Sequence, residues 1–251
     1  MSAGSEPTRL LADRRTLLKC AGAGLATLIA PGVTLTAFGA EKRPAGEPAS
    51  AKVRWGMLID SSKCAADCDR CVSACRDENG WGSTGHPDSD PQWIRKVALR
   101  DPKSGLERSL PVMCQHCANP ACVDVCPTGA SFKRADGIVL VDRHICIGCR
   151  YCMMACPYKA RSFVHEPIEE QKTVAPRGKG TVEGCTLCVD RVDAGKKPAC
   201  VEACAAEASG AMTFGDLNDP DSDIAKAIAA LPTTQIRSDL GMDPGVRYRN
   251  L

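Results

Sequence analysis

Sixteen of the seventeen cysteines in this 251-residue chain stand in four groups of four, each group spanning twenty residues or fewer. The groups are Cys64, Cys68, Cys71 and Cys75; Cys114, Cys117, Cys122 and Cys126; Cys146, Cys149, Cys152 and Cys156; and Cys185, Cys188, Cys200 and Cys204. Thiolates are soft ligands, and four of them match the four irons of a cubane 4Fe-4S cluster, one sulfur per iron. Four quartets therefore predict four 4Fe-4S clusters. The third group reads C-x2-C-x2-C-x3-C-P, and the second closes on the same Cys126-Pro127 pair. In such a run three cysteines wrap one cluster while the fourth, stiffened by the proline, serves a neighbour, so clusters are expected in pairs.

Two other chemistries use the same residues. Disulfides staple small folds in oxidising compartments, although stapling does not need quartets. Zinc takes two C-x2-C pairs, and the fourth group, with eleven residues between Cys188 and Cys200, has the outline of a zinc ribbon when taken alone, so a zinc-bound structural module stays open. Lys63, Arg70, Arg150, Lys159 and Arg191 lie beside ligands, where they either raise cluster potentials or act as ordinary solvated charges. Trp55 and Tyr151 are candidates for electron paths or for plain packing. Gly178-Lys179-Gly180 lacks the strand-to-helix context of a phosphate loop. With no substrate-pocket motif, no catalytic residue is expected, and the chain reads as an electron-transfer subunit of an oxidoreductase complex.

At the N-terminus, Asp13-Arg14-Arg15-Thr16-Leu17-Leu18-Lys19 precedes an apolar stretch from Cys20 to Ala40. This resembles a twin-arginine export signal, with Asp13 where Ser or Thr is usual and Leu17 where Phe is frequent. Export in the folded state suits a protein whose clusters are assembled in a reducing cytoplasm. A periplasmic protein is expected. Gly22, Gly24, Pro31 and Gly32 interrupt the stretch, and removal near Ala37-Phe38-Gly39-Ala40 is predicted, with an uncleaved anchor as the alternative. Cys20 is a bystander.

The first 40 residues hold four Lys/Arg and two Asp/Glu of the chain's 32 and 30, leaving 28 of each. That neutrality offers no basic stripe for nucleic acid, and no later stretch is long and apolar enough to cross a membrane. Membrane contact is expected through partners or an uncleaved signal.

The elements that must position the cysteines can be read as short pieces. Residues 41–52 read as a flexible leader, and Trp55 to Asp60 as a strand entering the first group. Ile138 to Asp142 precedes the third group in the same way, an internal duplication of a strand-loop-helix unit. Further strands are expected at Ala130–Lys133, Ala160–Val164 and Ala211–Phe214. Residues 93–100 and 106–112 flank Asp101-Pro102-Lys103-Ser104-Gly105 as a hairpin. Aromatic residues are 4% of the chain, so clusters are expected to fill a core otherwise poor in large rings.

The stretch Met113 to Ala130, the third group, Cys185-Thr186-Leu187-Cys188, Pro198 to Cys204 and Phe214 to Pro220 together resemble the four-cluster electron-transfer subunits of the DMSO-reductase type. The resemblance implies an α+β, loop-rich fold of double ferredoxin-like modules, short antiparallel strands and helices around the clusters. It places paired modules at 53–215, insertions at 76–113 and 157–184, and a C-terminal extension at 216–251. It also implies that the fourth cysteine of each group serves the partner group. One cluster then takes Cys64, Cys68, Cys71 and Cys204, and another Cys185, Cys188, Cys200 and Cys75. The other pair takes Cys114, Cys117, Cys122 with Cys156, and Cys146, Cys149, Cys152 with Cys126. His116 is left to loop packing, its group already having four cysteines. Two departures, the x3 spacing from Cys64 to Cys68 and Ala205 in place of proline, put the ligation of the first cluster in question.

With its own export signal and the insertion His86 to Trp93, the chain is similar to the periplasmic, DsrO-type branch of sulfur-metabolism complexes. That implies an integral quinone-interacting membrane subunit and a multihaem cytochrome c as partners. A relay for a molybdopterin reductase acting on polysulfide, tetrathionate or in nitrite-linked respiration is the alternative.

Overall fold

A computed structural model describes residues 49–169, 171–172 and 176–251. The expected signal at 1–40, Cys20 and most of the leader lie outside the described residues.

Strand β1 (Trp55–Asp60) is buried along nearly all its length. A continuous Met-Leu-Ile run has apolar side chains on both faces of the pleat, so it must be covered on both. It forms the centre of a three-stranded sheet, antiparallel to β8 (Met212–Asp216) and parallel to β9 (Val246–Arg249). At Gly56 a Cβ would lie 2.5 Å from the Leu217 side chain and 2.7 Å from the Gly245 carbonyl, which is why this strand position has no side chain.

After β1 the chain turns through Ser61–Lys63, passes Cys64 and Cys68 and enters helix α1 (Arg70–Asn79), which carries Cys71 and Cys75 and is closed by Gly80 at φ 69°. The expected hairpin follows as β2 (Ile94–Arg100) and β3 (Glu107–Met113), in register from Ile94 opposite Met113 to Arg100 opposite Glu107. Asp101 shapes its turn by accepting from Lys103 N–H and Ser104 Oγ. The short helix α2 (Ala121–Asp124) and strand β4 (Ser131–Lys133) come next, and β4 pairs antiparallel with β5 (Val139–Val141). Helix α3 (Tyr151–Ala155) is followed by the two-residue strands β6 (Ser162–Phe163) and β7 (Val182–Glu183). Helices α4 (Val189–Asp193) and α5 (Ala199–Glu207) precede β8, and α6 (Asp223–Ala230), capped by Ser222, packs on β8.

The order of these pieces repeats. β1 leads into the first cysteine group and pairs with β8, which follows the fourth, while α1 packs against α5. β5 leads into the third group and pairs with β4, which follows the second, while α2 packs against α3. The fold is thus mixed helix and small, mostly antiparallel sheets.

Residues 216–251, set apart in the sequence as an extension, return to the centre. β9 adds a strand beside β1, and Tyr248 is fully buried with its hydroxyl donating to the Pro111 carbonyl at 3.1 Å. Asp60, at the end of β1, accepts from Arg249 at 2.6 Å, Asn250 at 2.8 Å and Ser62. Burial alone would raise the pKa of this carboxyl, but those bonds outweigh it and hold it well below the usual carboxylate range. The buried apolar residues fall into two groups that both contain cysteines, one around β1, Trp81 and Trp93 and the other around Val139, Tyr158 and Val182. Among the described residues no helix is long and apolar enough to cross a membrane.

Candidate functional site

The sixteen grouped cysteines are all free thiols. Cys114, Cys117, Cys122 and Cys156 line one space of about 320 Å³. Cys126, Cys146, Cys149 and Cys152 line a second of about 300 Å³, and Cys75, Cys185, Cys188 and Cys200 a third of about 320 Å³. Cys71 lies within the electrostatic reach of Cys64, Cys204 and Cys68, which brings the last four together. Each gathering takes three cysteines from one group and one from another; groups one and four exchange, and so do two and three. Among the described residues no three His, Cys, Asp or Glu side chains converge closely enough to share one metal ion, and the three quartets with enclosed spaces surround a space and not a point.

The thiol chemistry fits a polynuclear cation. Burial pushes the thiols of Cys71, Cys75, Cys114 and Cys117 up to about 12, with neighbouring cysteines adding to the shift, and Cys152 up to about 11. Buried thiols of this kind stay protonated at neutral pH unless a cation replaces the protons, which iron bound to four sulfurs does.

The loops are shaped to aim N–H groups at sulfur. His116, Arg150, Lys159, Leu187 and Cys188 all have positive φ although none is glycine, a strained state that persists only where packing enforces it. Ser131 N–H donates to Cys126 Sγ at 3.3 Å, Leu187 N–H to Cys185 at 3.4 Å and Val182 N–H to Cys146 at 3.5 Å. Gly148, at φ 70°, sits so close to the next loop that a Cβ would lie 2.2 Å from the Gly180 carbonyl oxygen.

Electrostatic interactions between cysteines link the four quartets in succession. Cys75 feels Cys71, Cys185 feels both Cys75 and Cys114, and Cys152 feels Cys122. The two middle quartets are buried apart from half-buried Cys185, whereas the ends reach outward: Cys149 is exposed, and Cys126, Cys146, Cys64 and Cys68 are half-buried.

Several residues around these quartets carried no sequence signal. Trp81 Nε1 donates to Cys75 Sγ at 3.3 Å. Lys96, on β2, donates from Nζ to the carbonyls of Ala65 at 2.6 Å and Cys68 at 2.9 Å, tying down the longer first loop. Its neighbour Arg95 reaches the other way, to the carbonyls of Tyr158 and Lys159 after the third group. Arg161 is buried and donates from Nη2 to Cys122 Sγ at 3.2 Å and Ser131 Oγ at 3.0 Å. Apart from the Trp81–Cys75 bond, which spans six residues, these bonds join residues distant in the chain, so no local spacing announces them.

The basic residues singled out in the sequence take ordinary surface roles. Arg70 pairs with Glu207 in the open, Arg191 bridges Glu78 and Glu202, and Arg150 stacks 4.0 Å from the centre of the Phe163 ring. Lys63 and Lys159 are exposed. His116 is buried, with Nδ1 accepting from Val139 N–H at 3.0 Å; burial and the Arg161 cation push its pKa down to about 3, so the ring is neutral and packs the loop. Trp55 stacks on Phe214 and Tyr151 is exposed.

Cysteine quartets in short helices and small antiparallel sheets define a ferredoxin-type 4Fe-4S protein. Residues 108–217 match the 4Fe-4S dicluster domain family. The chain is 39% identical to the Hdr-like menaquinol oxidoreductase iron-sulfur subunit 1 of Archaeoglobus fulgidus, over 96% of this chain and 99% of that one. It is 40% identical to a tetrathionate reductase subunit of Salmonella typhimurium, over 72% and 66% of the two chains, and 38% identical to protein NrfC of Escherichia coli, over 76% and 78%. The chain belongs to this family of ferredoxin-type iron-sulfur electron-transfer subunits.

Proposed function

We propose that the sixteen cysteines hold four 4Fe-4S clusters in the exchanged quartets, on two paired ferredoxin modules, and that the chain relays electrons within a membrane-associated redox complex. Cys64, Cys68, Cys71 and Cys204 hold the first cluster; Cys75, Cys185, Cys188 and Cys200 the second; Cys114, Cys117, Cys122 and Cys156 the third; Cys126, Cys146, Cys149 and Cys152 the fourth. When bound, each cubane supplies a site that takes up and gives back one electron. The protein's share is to exclude water from the middle quartets, to aim N–H groups of Ser131, Val182, Leu187 and Trp81 at sulfur, and to leave the two end quartets within reach of partners. The observation that carries this reading is the gathering of every quartet as three cysteines of one group and one of its partner.

The complex is read as periplasmic, the chain travelling by the twin-arginine route and meeting the membrane through an integral quinone-interacting subunit or an uncleaved signal. A multihaem cytochrome c is the second partner, as in Dsr-type sulfur metabolism. The Arg14-Arg15 motif supports the location, and the Archaeoglobus relative, named for menaquinol oxidation and matched over nearly its whole length, supports the quinol link. A second reading, a relay for a molybdopterin reductase of polysulfide, tetrathionate or nitrite-linked respiration, draws support from the Salmonella relative's name.

Anaerobic purification of the tagged full chain from membranes tests both. The expected product is brown, bleaches with dithionite, and brings with it a quinone-interacting membrane protein and a multihaem cytochrome c. A molybdenum-containing subunit in their place moves the chain to the second reading, and a colourless protein carrying zinc defeats both.

A further inference from the structure

We propose that Arg161 is a positioning residue, a fixed cation shared by the third and fourth cluster sites that raises the reduction potentials of both relative to the other two. The inference rests on the cluster reading above.

The geometry links this one side chain to two quartets. Nη2 donates to Cys122 Sγ at 3.2 Å, a member of the third quartet, and to Ser131 Oγ at 3.0 Å. Ser131 in turn donates its N–H to Cys126 Sγ at 3.3 Å, a member of the fourth. Arg161 also lines the space enclosed by Cys114, Cys117, Cys122 and Cys156. Its Nη1 is buried and has no hydrogen-bond partner among the described residues. A buried guanidinium is ordinarily held by a carboxylate, as Arg177 is held by both oxygens of Glu183 at 2.9 Å. Arg161 instead meets its negative charge at Cys122, Cys114 and Cys152.

An arginine keeps its proton in any protein environment, so the charge is permanent. Four thiolates around a cubane core leave the site net negative, and one-electron reduction adds one further negative charge. A cation in a water-excluded position stabilises the reduced form more than the oxidised one, and net charge and hydrogen bonds to sulfur are among the quantities that set cluster potentials.

The test is an EPR-monitored potentiometric titration of the full chain, isolated anaerobically in its complex, as wild type, R161M, R161K and W81F. R161M is expected to lower the reduction equilibrium of two clusters at least tenfold, which is 59 mV for one electron, with the other two unmoved. R161K is expected to stay within threefold of wild type. W81F, which removes the bond to Cys75, is expected to move a component that R161M leaves alone. The proposal is overturned if R161M carries wild-type iron and moves none of the components or all four alike, or if R161K falls tenfold. Should R161M fail to load iron, R161K decides alone. An iron-free wild type would sink the cluster reading itself, whereas a loaded wild type with unmoved R161M potentials sinks only the assignment of Arg161.

Discussion

The two end quartets are held in different ways. The end built on Cys126, Cys146, Cys149 and Cys152 follows the regular spacing, and its loop is held by backbone: Ser131 and Val182 N–H groups meet sulfur, and Gly148 lets two loops touch. Around it Ile145, Ile147, Tyr151 and Met154 are all about half exposed or more. The end built on Cys64, Cys68, Cys71 and Cys204 has the extra loop residue and opens onto a polar groove lined by Asp67, Asp69, Arg70, Glu207 and Ser209. There the loop is held by a side chain from elsewhere, Lys96 of the hairpin. The regular end is met at its sulfurs by backbone N–H groups, whereas the loop with the extra residue is clamped at its carbonyls by a lysine side chain. The longer Cys64–Cys68 loop therefore comes with a compensating residue.

Each end can be broken by itself. Gly148→Ala forces a Cβ against the Gly180 carbonyl at a positive φ, which is expected to cost on the order of 4 kcal/mol locally. Iron release to a chelator should accelerate for about a quarter of the iron, and the fast fraction should report the Cys149 end; an unchanged release profile contradicts the close packing. Lys96→Ala removes two charge-assisted bonds to the first loop, a loss of about 3 kcal/mol. It should speed release from the Cys64 end alone, and slower release or loss from the Cys149 end would break the comparison.

A smaller effect is expected at Asp60, which ties the approach to the polar end to β9. Its folded pKa is depressed, so its contribution is present above the unfolded carboxylate value and is lost as pH falls below about 4 towards the folded value. Asp60→Asn should cost about 2 kcal/mol at neutral pH and flatten the loss of stability between roughly pH 5 and pH 3. Denaturant melts of both proteins across that range check the sign, and parallel curves would contradict it.

Much of this is legible in the amino-acid sequence, for physical reasons. β1 and the hairpin announce themselves by a continuous apolar run and by Asp101-Pro102-Lys103-Ser104-Gly105, and the cysteine groups by spacing. β9 did not, because a four-residue Val-Arg-Tyr-Arg strand is specified by its pairing with β1, 189 residues away at Asp60 and Arg249, and not by its own pattern. Arg161 was hidden for the same reason: its contact with Cys122 spans 39 residues. Lys63, Arg70 and Arg191 stand out by adjacency, yet the charge that meets a cysteine sulfur directly is Arg161, between the third and fourth groups and just before β6.

The exchange of fourth cysteines is most directly tested with Cys126→Ser. After anaerobic purification, the variant is expected to hold about twelve irons against about sixteen in the wild type, four per cubane. Brief alkylation followed by mass spectrometry should then find Cys146, Cys149 and Cys152 modified and Cys114, Cys117 and Cys122 protected. Modification of Cys114, Cys117 and Cys122 with protection of the third group would show that each quartet closes on itself and would contradict the exchanged arrangement.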